Sequence, residues 1–358
     1  VGRFGSTSGL SGVSTGSQVL NLVTFVVTQL AMGITVLIAR YLGEKREDQI
    51  GSIIGGGTVV FAAISLVLFV IMVGFARPIA VLMQAPEEAV GLTVAYIRIC
   101  GAGIFFIVAY NVLSAIFRGL GDSNSPLLFV FVACIVNVVG DLVLVAGLGM
   151  DAMGAALATV FAQALSVVFA IVRLVKKGLP FTITGYDFRW NPQCGKFLQI
   201  GLPLALQECL TQGSFLALCA FVNRLGLEAS SGYGVACKIV NFAMLIPSAL
   251  MQSTSSFVSQ NVGAGEQKRA KKTMFTGIGI GLLVGCFVFV LVFFRGDLLA
   301  GIFSADAAVV QRGYEYLKGF APETLLTAVL FSMMGYFNGN GKTCLLYTSP
   351  SPRDKRQS

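Results

Sequence analysis

The sequence predicts an all-α polytopic membrane protein with two parallel, pseudo-symmetric six-helix lobes, of which nine full spans out of an expected twelve are present. Three observations support this prediction. Hydrophobic residues make up 55% of the 358 residues and charged residues only 12%, about half the charged fraction of soluble domains. Apolar runs long enough to cross a hydrocarbon core of about 30 Å recur from end to end. The sequence also repeats itself at an offset of 220 residues.

The nine apolar segments are expected to be helices, because a backbone in lipid must satisfy its own hydrogen bonds. Their expected ranges are 16–40, 52–74, 90–117, 126–149, 152–175, 196–222, 232–261, 273–294 and 310–338. A polar segment at 176–195 separates the fifth span from the sixth. It holds two prolines and the only tryptophan, a composition typical of a linker.

The repeat is clearest in two glycine-containing turns, FRGLGDSNSP at 117–126 and FNGNGKT at 337–343. They align Gly119 with Gly339 and Gly121 with Gly341, and we interpret these glycines as turn and hinge residues. Between equivalent points of the two copies the chain crosses the membrane six times. The copies should therefore be parallel and related by an axis along the membrane normal.

The repeat also sets the expected domain boundaries. Residues 1–175 should form an N-terminal lobe that lacks its first helix, 176–195 the inter-lobe linker, and 196–344 a C-terminal lobe that lacks its last two helices. The polar tail 345–358 does not continue the repeat. We expect it to be foreign or out-of-frame sequence on a chain truncated at both ends.

Lysine and arginine are unevenly distributed between the two sides of the predicted membrane, with fourteen on the side of the linker and five on the other. The positive-inside tendency places the linker in the cytoplasm and makes the chain a multi-pass protein of the plasma (inner) membrane. The cations lie in alternate loops rather than in one patch, so the lipid bilayer is the expected partner and nucleic acid is not.

The clearest candidate site is formed by Asn137 and Asp141 in one span and Thr159 in the next. The spacing of four places Asn137 and Asp141 on one helix face. An ionisable group inside a span is costly and is therefore a functional candidate. These oxygen atoms suit a hard cation such as Na⁺, or a proton held by the carboxylate. The alternative is that Asp141 only hydrogen-bonds a neighbouring helix near the membrane edge.

A second candidate cluster follows Pro203 in the sixth span. Glu208 and Gln212 share a helix face, and Gln207 lies beside them. The cluster could bind a cationic substrate or an ion in the second lobe. It could equally be a polar helix-packing or gating contact.

Other second-lobe residues support weaker hypotheses. Lys238 and Glu323 could pair across the interior of the lobe, or both could lie at the outer interface with their charges in water. Pro203, Pro247 and Pro322 are predicted kinks and flexible points. A stripe of small residues at 277, 281 and 285 is predicted to be a helix-packing face.

Several chemistries lack the residues they require. The chain has no histidine, which excludes a Ser/His/Asp triad. Its eight cysteines form no C-x-x-C pair and lie mostly in apolar spans, so they predict neither a disulfide framework nor a metal site. No phosphate-binding loop is present. We expect a non-enzymatic protein without cofactors, in which Na⁺ is the only possible metal, driven by an ion gradient rather than by ATP.

In its motifs the chain resembles the multidrug and toxic compound extrusion family of secondary transporters. These motifs are GITVLIARYLG at 33–43, the turn at 117–122, Asn137 with Asp141, Pro203 with Glu208, and Gln252 followed by QNVGAG at 260–265. The resemblance covers most of residues 1–344. The order and spacing of the motifs carry it, together with the duplication.

The resemblance implies a monomeric antiporter that exports organic cations and other small amphiphiles in exchange for Na⁺ or H⁺ by alternating access. In many prokaryotic members a cation site uses an Asn and an Asp of the fifth helix and a Thr of the sixth, which match Asn137, Asp141 and Thr159. A further aspartate on the first helix of those members would precede Val1. Some members use second-lobe acids instead, which Glu208 matches and Glu323 matches less closely.

The main alternative is a lipid-linked oligosaccharide flippase of the same superfamily. Such a protein would be expected to line its cleft with basic residues for a pyrophosphate, whereas away from their ends the spans contain only Arg98, Lys238 and Lys318. A membrane-embedded enzyme would need a paired acid and base or a metal set. A non-transporting sensor or scaffold would not need the candidate oxygen ligands to converge.

Overall fold

The structure, a computed structural model, describes residues 6–176, 184–223, 227–303 and 306–343. Within these ranges the chain is almost entirely helical and contains no strand, which confirms the all-α prediction. The predicted tail 345–358 and residues 177–183 of the predicted linker lie outside the described residues. The helices are α1 Thr7–Gly43, α2 Asp48–Gly74, α3 Ala76–Leu82, α4 Glu87–Ala102, α5 Ile104–Gly119, α6 Asn124–Asp141, α7 Asp151–Lys176, α8 Pro192–Asn223, α9 Leu227–Gly263, α10 Gln267–Gly301 and α11 Ala307–Gly339.

Seven of the described helices are long and apolar enough to cross a membrane, and the bent pair α4 and α5 makes an eighth span if it is counted as one. Helix α8 has 32 residues, but the polar cluster at 207–212 interrupts its apolar sequence. Each of the nine predicted spans falls on one of the seven apolar helices, on the bent pair or on α8. The protein is thus a multi-pass, all-α membrane protein.

The helix boundaries repeat at the offset found in the sequence. Helix α1 covers Thr7–Gly43 and α9 covers Leu227–Gly263, so both ends are shifted by 220 residues. The segment from the start of α4 to the end of α5 matches α11 in the same way. The turns repeat as well, because Gly121 has φ 79° and its counterpart Gly341 has φ 74°. The duplication therefore extends to the backbone.

The copies differ where their helices break. In the first copy α4 and α5 meet at Gly103 with a bend of 53°, whereas α11 runs unbroken through the equivalent position and carries Pro322 one residue before it. Sequence reasoning chose the prolines as kinks and missed Gly103. A second break is shared, since Phe75 separates α2 from α3 and its counterpart Arg295 has non-helical angles within α10.

The chain divides into two compact units, the first comprising Val1–Leu42 with Arg46–Leu206 and the second Gly43–Lys45 with Gln207–Ser358. The division falls inside α8, so about four turns of α8 belong to the first unit. Each unit has its own buried apolar core, centred on residues such as Ile34 and Ile97 in the first and Leu317 and Ala321 in the second.

Glycines permit close helix crossings inside each unit. In the first, a Cβ added to Gly33 of α1 would lie 2.2 Å from the carbonyl oxygen of Phe197 in α8, and one added to Gly201 would lie 2.3 Å from that of Leu30. In the second unit the stripe at 277, 281 and 285 is buried and faces Thr254, Ala328, Ser332 and Thr324. The predicted packing face of α10 is therefore confirmed.

The described part of the predicted linker is fastened to α2 by polar contacts. The Asp187 carboxylate accepts hydrogen bonds from the backbone N–H of Thr184 at 2.8 Å and from the Ser52 hydroxyl at 2.7 Å. These two donors hold the pKa of Asp187 below its usual value. Asn191 donates its amide N–H to the carbonyl oxygen of Ser52 at 2.8 Å. The linker residues are thus held against the second turn of α2.

A second group of contacts joins the start of α8 to α1 and α2. Gln193 donates to the Gln49 side-chain oxygen at 2.8 Å and accepts from the Tyr41 hydroxyl at 2.9 Å. Lys196 donates to the same hydroxyl at 2.9 Å. Because Gln193 and Tyr41 are buried, these hydrogen bonds fix the start of α8 within the first unit.

Candidate functional site

Two of the three predicted first-lobe ligands are in direct contact. The Asn137 amide donates to the Thr159 hydroxyl at 3.3 Å, and that hydroxyl donates to the Ala155 carbonyl oxygen at 2.9 Å. Asp141 lies one turn from Asn137 on α6, and its Oδ1 is buried without a hydrogen-bond partner among the described residues. The structure thus brings side chains of α6 and α7 together as the sequence predicted.

Small residues allow α6 and α7 to approach at this point. A Cβ added to Gly140, which precedes Asp141, would lie 2.9 Å from the Cβ of Ala158, which precedes Thr159. Further along the same antiparallel pair, the buried Ser166 hydroxyl donates to the Phe129 carbonyl oxygen at 3.2 Å. The close approach brings the polar side chains on the two helices within reach of one another.

Helix α4 contributes a residue that the sequence reasoning did not select. The Tyr96 side chain is only 4% exposed, and its hydroxyl lies near Thr159 and Asp141. The sequence offers one weak signal, the recurrence of Tyr96 as Tyr316 at the 220-residue offset, which does not by itself indicate a functional site. The broken backbone at Gly103 packs against Val160, directly after Thr159, and so positions α4 beside the site.

A π-helical segment, Leu142–Gly147, begins directly after Asp141. Short π-helical segments within α-helices are frequent at functional sites, because the extra residue in the turn displaces backbone carbonyls from regular pairing. No feature of the sequence predicted it. The segment places an irregular backbone turn next to the one carboxylate of the candidate site.

The donor set of the site consists of oxygen atoms. It includes the Asp141 carboxylate, the Asn137 amide oxygen, the Thr159 hydroxyl and the Ala155 carbonyl. Such a set suits a hard cation, and a proton on the carboxylate is the other way to relieve a buried negative charge. In the described part of the chain, His, Cys, Asp and Glu form no group that could hold a transition metal.

The second-lobe candidates form one contact of the expected kind. Gln212 donates its amide N–H to Glu208 at 2.8 Å, so these residues do share a face of α8, with Gln207 half-buried beside them. Lys238 and Glu323 are both exposed. The Lys238 ammonium lies 5.6 Å from the ring centroid of a phenylalanine, Phe303, and the described residues show no ion pair between Lys238 and Glu323.

The predicted hinge glycines have two separate physical roles. Gly119 and Gly339 lie at crowded crossings, where an added Cβ would meet Ile38 at 2.9 Å in the first case and the Ser255 carbonyl oxygen at 2.6 Å in the second. Gly121 and Gly341 instead have positive φ, and the space around Gly121 is open. The first glycine of each turn thus serves helix packing and the second serves the turn itself.

The three predicted kink prolines lie inside helices. Pro203, Pro247 and Pro322 belong to α8, α9 and α11, and each of these helices continues through its proline. Pro247 lines a mostly apolar cavity between α9, α10 and α11, together with Phe320 and Thr324. Whether these prolines act as flexible points stays a prediction.

Comparison with known proteins identifies the family. The MatE family model matches residues 1–143 and 203–347. The probable multidrug resistance protein YpnP of Bacillus subtilis is 28% identical over 241 residues, which cover 67% of this chain and 54% of that protein. The multidrug export protein MepA of Staphylococcus saprophyticus is 24% identical over 345 residues, 96% of this chain and 76% of that protein. The chain thus spans about half the length of the first relative and about three quarters of the second.

Solved structures share the fold. A multidrug resistance MATE family transporter of the MOP superfamily in an outward-facing conformation matches with a TM-score of 0.89 at 22% identity, over 94% of this chain and 76% of that chain. A MOP superfamily transporter from Pyrococcus furiosus gives a TM-score of 0.89 at 21% identity, with the same coverage. The family resemblance noted in the sequence is therefore confirmed, and the chain belongs to the MatE family.

Proposed function

We propose that this protein works as a secondary active antiporter, which exports organic cations and related amphiphiles across the plasma membrane in exchange for Na⁺ or H⁺. Membership of the MatE family and relatives named for multidrug resistance and multidrug export support the efflux part of the proposal. One observation supports ion coupling: Asp141 has a buried carboxylate oxygen without a partner among the described residues, beside the hydrogen-bonded Asn137 and Thr159.

Ion binding would act on the packing of α6 against α7. With no ion, the Asp141 charge is poorly compensated in an apolar span, which is costly. A Na⁺ ion held between Asp141, the Asn137 amide and the Thr159 hydroxyl, or a proton on Asp141, removes this cost. An ion shifts the populations of two conformations only if it binds them with different affinities. The candidate site lies between α6 and α7, so a change in the spacing of these helices would change its affinity for the ion. The mechanism is then alternating access, in which the substrate leaves as the ion enters.

The proposal is tested by Asp141→Asn in membrane vesicles from cells that express the gene. The asparagine keeps the shape of the side chain but cannot carry the charge, so we expect efflux of a fluorescent organic cation to lose its dependence on an imposed ion gradient. Asp297→Asn on α10 is the matched control, because it makes the same substitution at an exposed acid that belongs to neither candidate cluster. Equal gradient-driven efflux by Asp141→Asn and the parent, at equal membrane insertion, would overturn the proposal.

The same vesicles separate the two candidate ions. A Na⁺ gradient at constant pH and a pH gradient without Na⁺ are imposed in turn. Efflux driven only by the first assigns Na⁺, and efflux driven only by the second assigns H⁺. Thr159→Ala sharpens the result: it removes a Na⁺ ligand but no titratable group, so it should weaken Na⁺ coupling more than H⁺ coupling.

The flippase alternative has weaker support. Two of the three basic residues found away from the ends of the predicted spans stand over aromatic rings, Lys238 over Phe303 and Lys318 over Tyr314 at 4.4 Å from the ring centroid. Each ring contact adds an attraction of about 0.5–1 kcal/mol at an exposed site, which a pyrophosphate would have to compensate if it drew the ammonium group away. Competition decides between the cargoes: a lipid-linked pyrophosphate should leave efflux of the organic cation unchanged if the antiporter proposal holds.

A further inference from the structure

The first two turns of α10 carry four basic side chains within five residues. Lys268, Arg269, Lys271 and Lys272 are all exposed, whereas the residue between them, Ala270, is fully buried. At 100° per residue the four cations cover one side of the helix and Ala270 faces the core. The fold therefore presents these four charges together on a single outward face.

Neither helix electrostatics nor internal pairing explains this cluster. Positive charge is unfavourable near a helix N-terminus, and like charges three or four residues apart destabilise a helix. The first turn of α10 contains no acidic residue. In the ranges that the structure describes, none of the four side chains takes part in an ion pair, and the neighbouring Glu266 is not bonded to them.

The duplicated framework does not require cations here either. At the offset of 220 residues, the four positions correspond to Asp48, Gln49, Gly51 and Ser52 at the start of α2. In that copy the Gln49 amide donates to Asp48 at 2.7 Å, and Ser52 donates to Asp187 of the linker. The first copy thus uses this helix end to hold a piece of its own chain. The second copy presents charge at the same place.

The depth of the cluster indicates its partner. Helix α10 is long and apolar enough to cross a membrane, and it becomes apolar at Met274, just after the cluster. With a rise of 1.5 Å per residue, the four cations lie within about 10 Å of that point. This is the depth of the lipid headgroups, which flank a hydrocarbon core of about 30 Å. Basic clusters next to a membrane span attract anionic lipids.

We propose that Lys268, Arg269, Lys271 and Lys272 form a binding site for the phosphate headgroups of anionic phospholipids in the leaflet that surrounds the start of α10. The headgroup supplies the negative charge that the first turn of the helix lacks. It also separates the like charges from one another. Each cation near an anionic surface should strengthen binding by about five-fold, so even two of the four acting together should give a preference for anionic over zwitterionic lipid of at least about ten-fold.

A local fluorescence reporter can test the proposal. Phe275 is 65% exposed and lies one turn beyond the cluster, and Trp190 is the only tryptophan of the chain. The reporter is therefore Phe275→Trp in a Trp190→Phe background, reconstituted in vesicles of phosphatidylcholine and phosphatidylglycerol. Either lipid is supplied with brominated acyl chains, which quench the tryptophan. The ratio of the two quenching efficiencies gives the local lipid preference.

We expect brominated phosphatidylglycerol to be preferred at least about ten-fold in the parent, and the preference to fall to near one in K268Q/R269Q/K271Q/K272Q. A matched control, K45Q/K176Q/K342Q, removes exposed lysines at other helix ends and should keep the preference. The milder K271Q/K272Q, which should give an intermediate ratio, serves if the quadruple variant does not insert. Equal quenching by the two lipids in the parent, or an unchanged preference in the quadruple variant, would overturn the proposal. Loss of the preference in millimolar inorganic phosphate would do so as well, because it would assign the site to a free anion.

Discussion

Gly33→Ala should destabilise the first unit, because α1 and α8 cross there with no room for a side chain. The added Cβ would lie 2.2 Å from the Phe197 carbonyl oxygen and 3.1 Å from the backbone nitrogen of Gly201. Both are backbone atoms, so relief requires the helices to separate by about 1 Å. Overpacking of this kind costs about 1–3 kcal/mol. The higher helix propensity of alanine returns up to about 1 kcal/mol.

A matched control isolates the packing cost. Gly91 lies inside α4 in the same unit, and an added Cβ would meet nothing within 4 Å. Gly91→Ala therefore carries the propensity gain alone, and its free energy of unfolding should exceed that of Gly33→Ala by about 1–3 kcal/mol. The assay is reversible unfolding in mixed micelles, followed by circular dichroism.

Equal stability of the two variants would refute the reasoning, because it would mean that the crossing has room for a methyl group. The crossing also makes a prediction about coupling. Gly201→Ala creates a similar clash with Leu30, and one separation of the helices relieves both. The double variant should therefore cost less than the sum of the single variants.

Three further predictions concern the linker, a turn and a helix end. The pKa of Asp187 is lowered in the folded protein, so its hydrogen bonds stabilise the fold fully at a pH above the pKa of the unfolded chain, about 3.9. This stabilisation is lost as the pH falls through the pKa of the folded protein. The melting temperature of Asp187→Asn should therefore approach that of the parent in acid. Lys45→Gly should raise the unfolding free energy by about 1 kcal/mol, because Lys45 has φ 57°, a conformation that costs a side chain about that much. Ser125→Ala should lower the free energy of unfolding by about 1–3 kcal/mol in the same assay. The buried Ser125 hydroxyl accepts a hydrogen bond from Arg173 at 2.7 Å and donates one to Asp122 at 2.6 Å. The control Ser123→Ala should leave the free energy of unfolding almost unchanged.

The sequence was sufficient for the features that depend on composition and repetition. Apolar length predicted the spans, and the 220-residue offset anticipated that α1 and α9 would have the same extent. The meeting of Asn137 with Thr159 was also predictable, because two antiparallel helices joined by a short loop must pack side by side. In each case one property of the local sequence decides the outcome.

The missed features depend on tertiary contacts. Tyr96 looked like an ordinary aromatic residue of an apolar span, and only its position opposite Thr159 makes it part of the site. The π-helical segment follows Asp141 within a run of Leu and Val, which fits a regular α-helix equally well. Proline suggested kinks at three positions, whereas the largest bend is at Gly103, where the neighbouring Val160 decides the path of the chain.

The bend at Gly103 makes α4 and α5 together shorter from end to end than α11, although the two segments have the same number of residues. Helix α11 has 33 residues and is about 50 Å long, which exceeds a hydrocarbon core of about 30 Å. Its first turns, with the exposed ion pair of Arg312 and Glu315, can then lie outside the core. Helices α4 and α5 have 16 residues each, and with a bend of 53° they rise only about 38 Å along the axis of α4. A change in bilayer thickness should therefore tilt α11 as one rod, whereas the first copy can respond by opening or closing an angle beside Thr159.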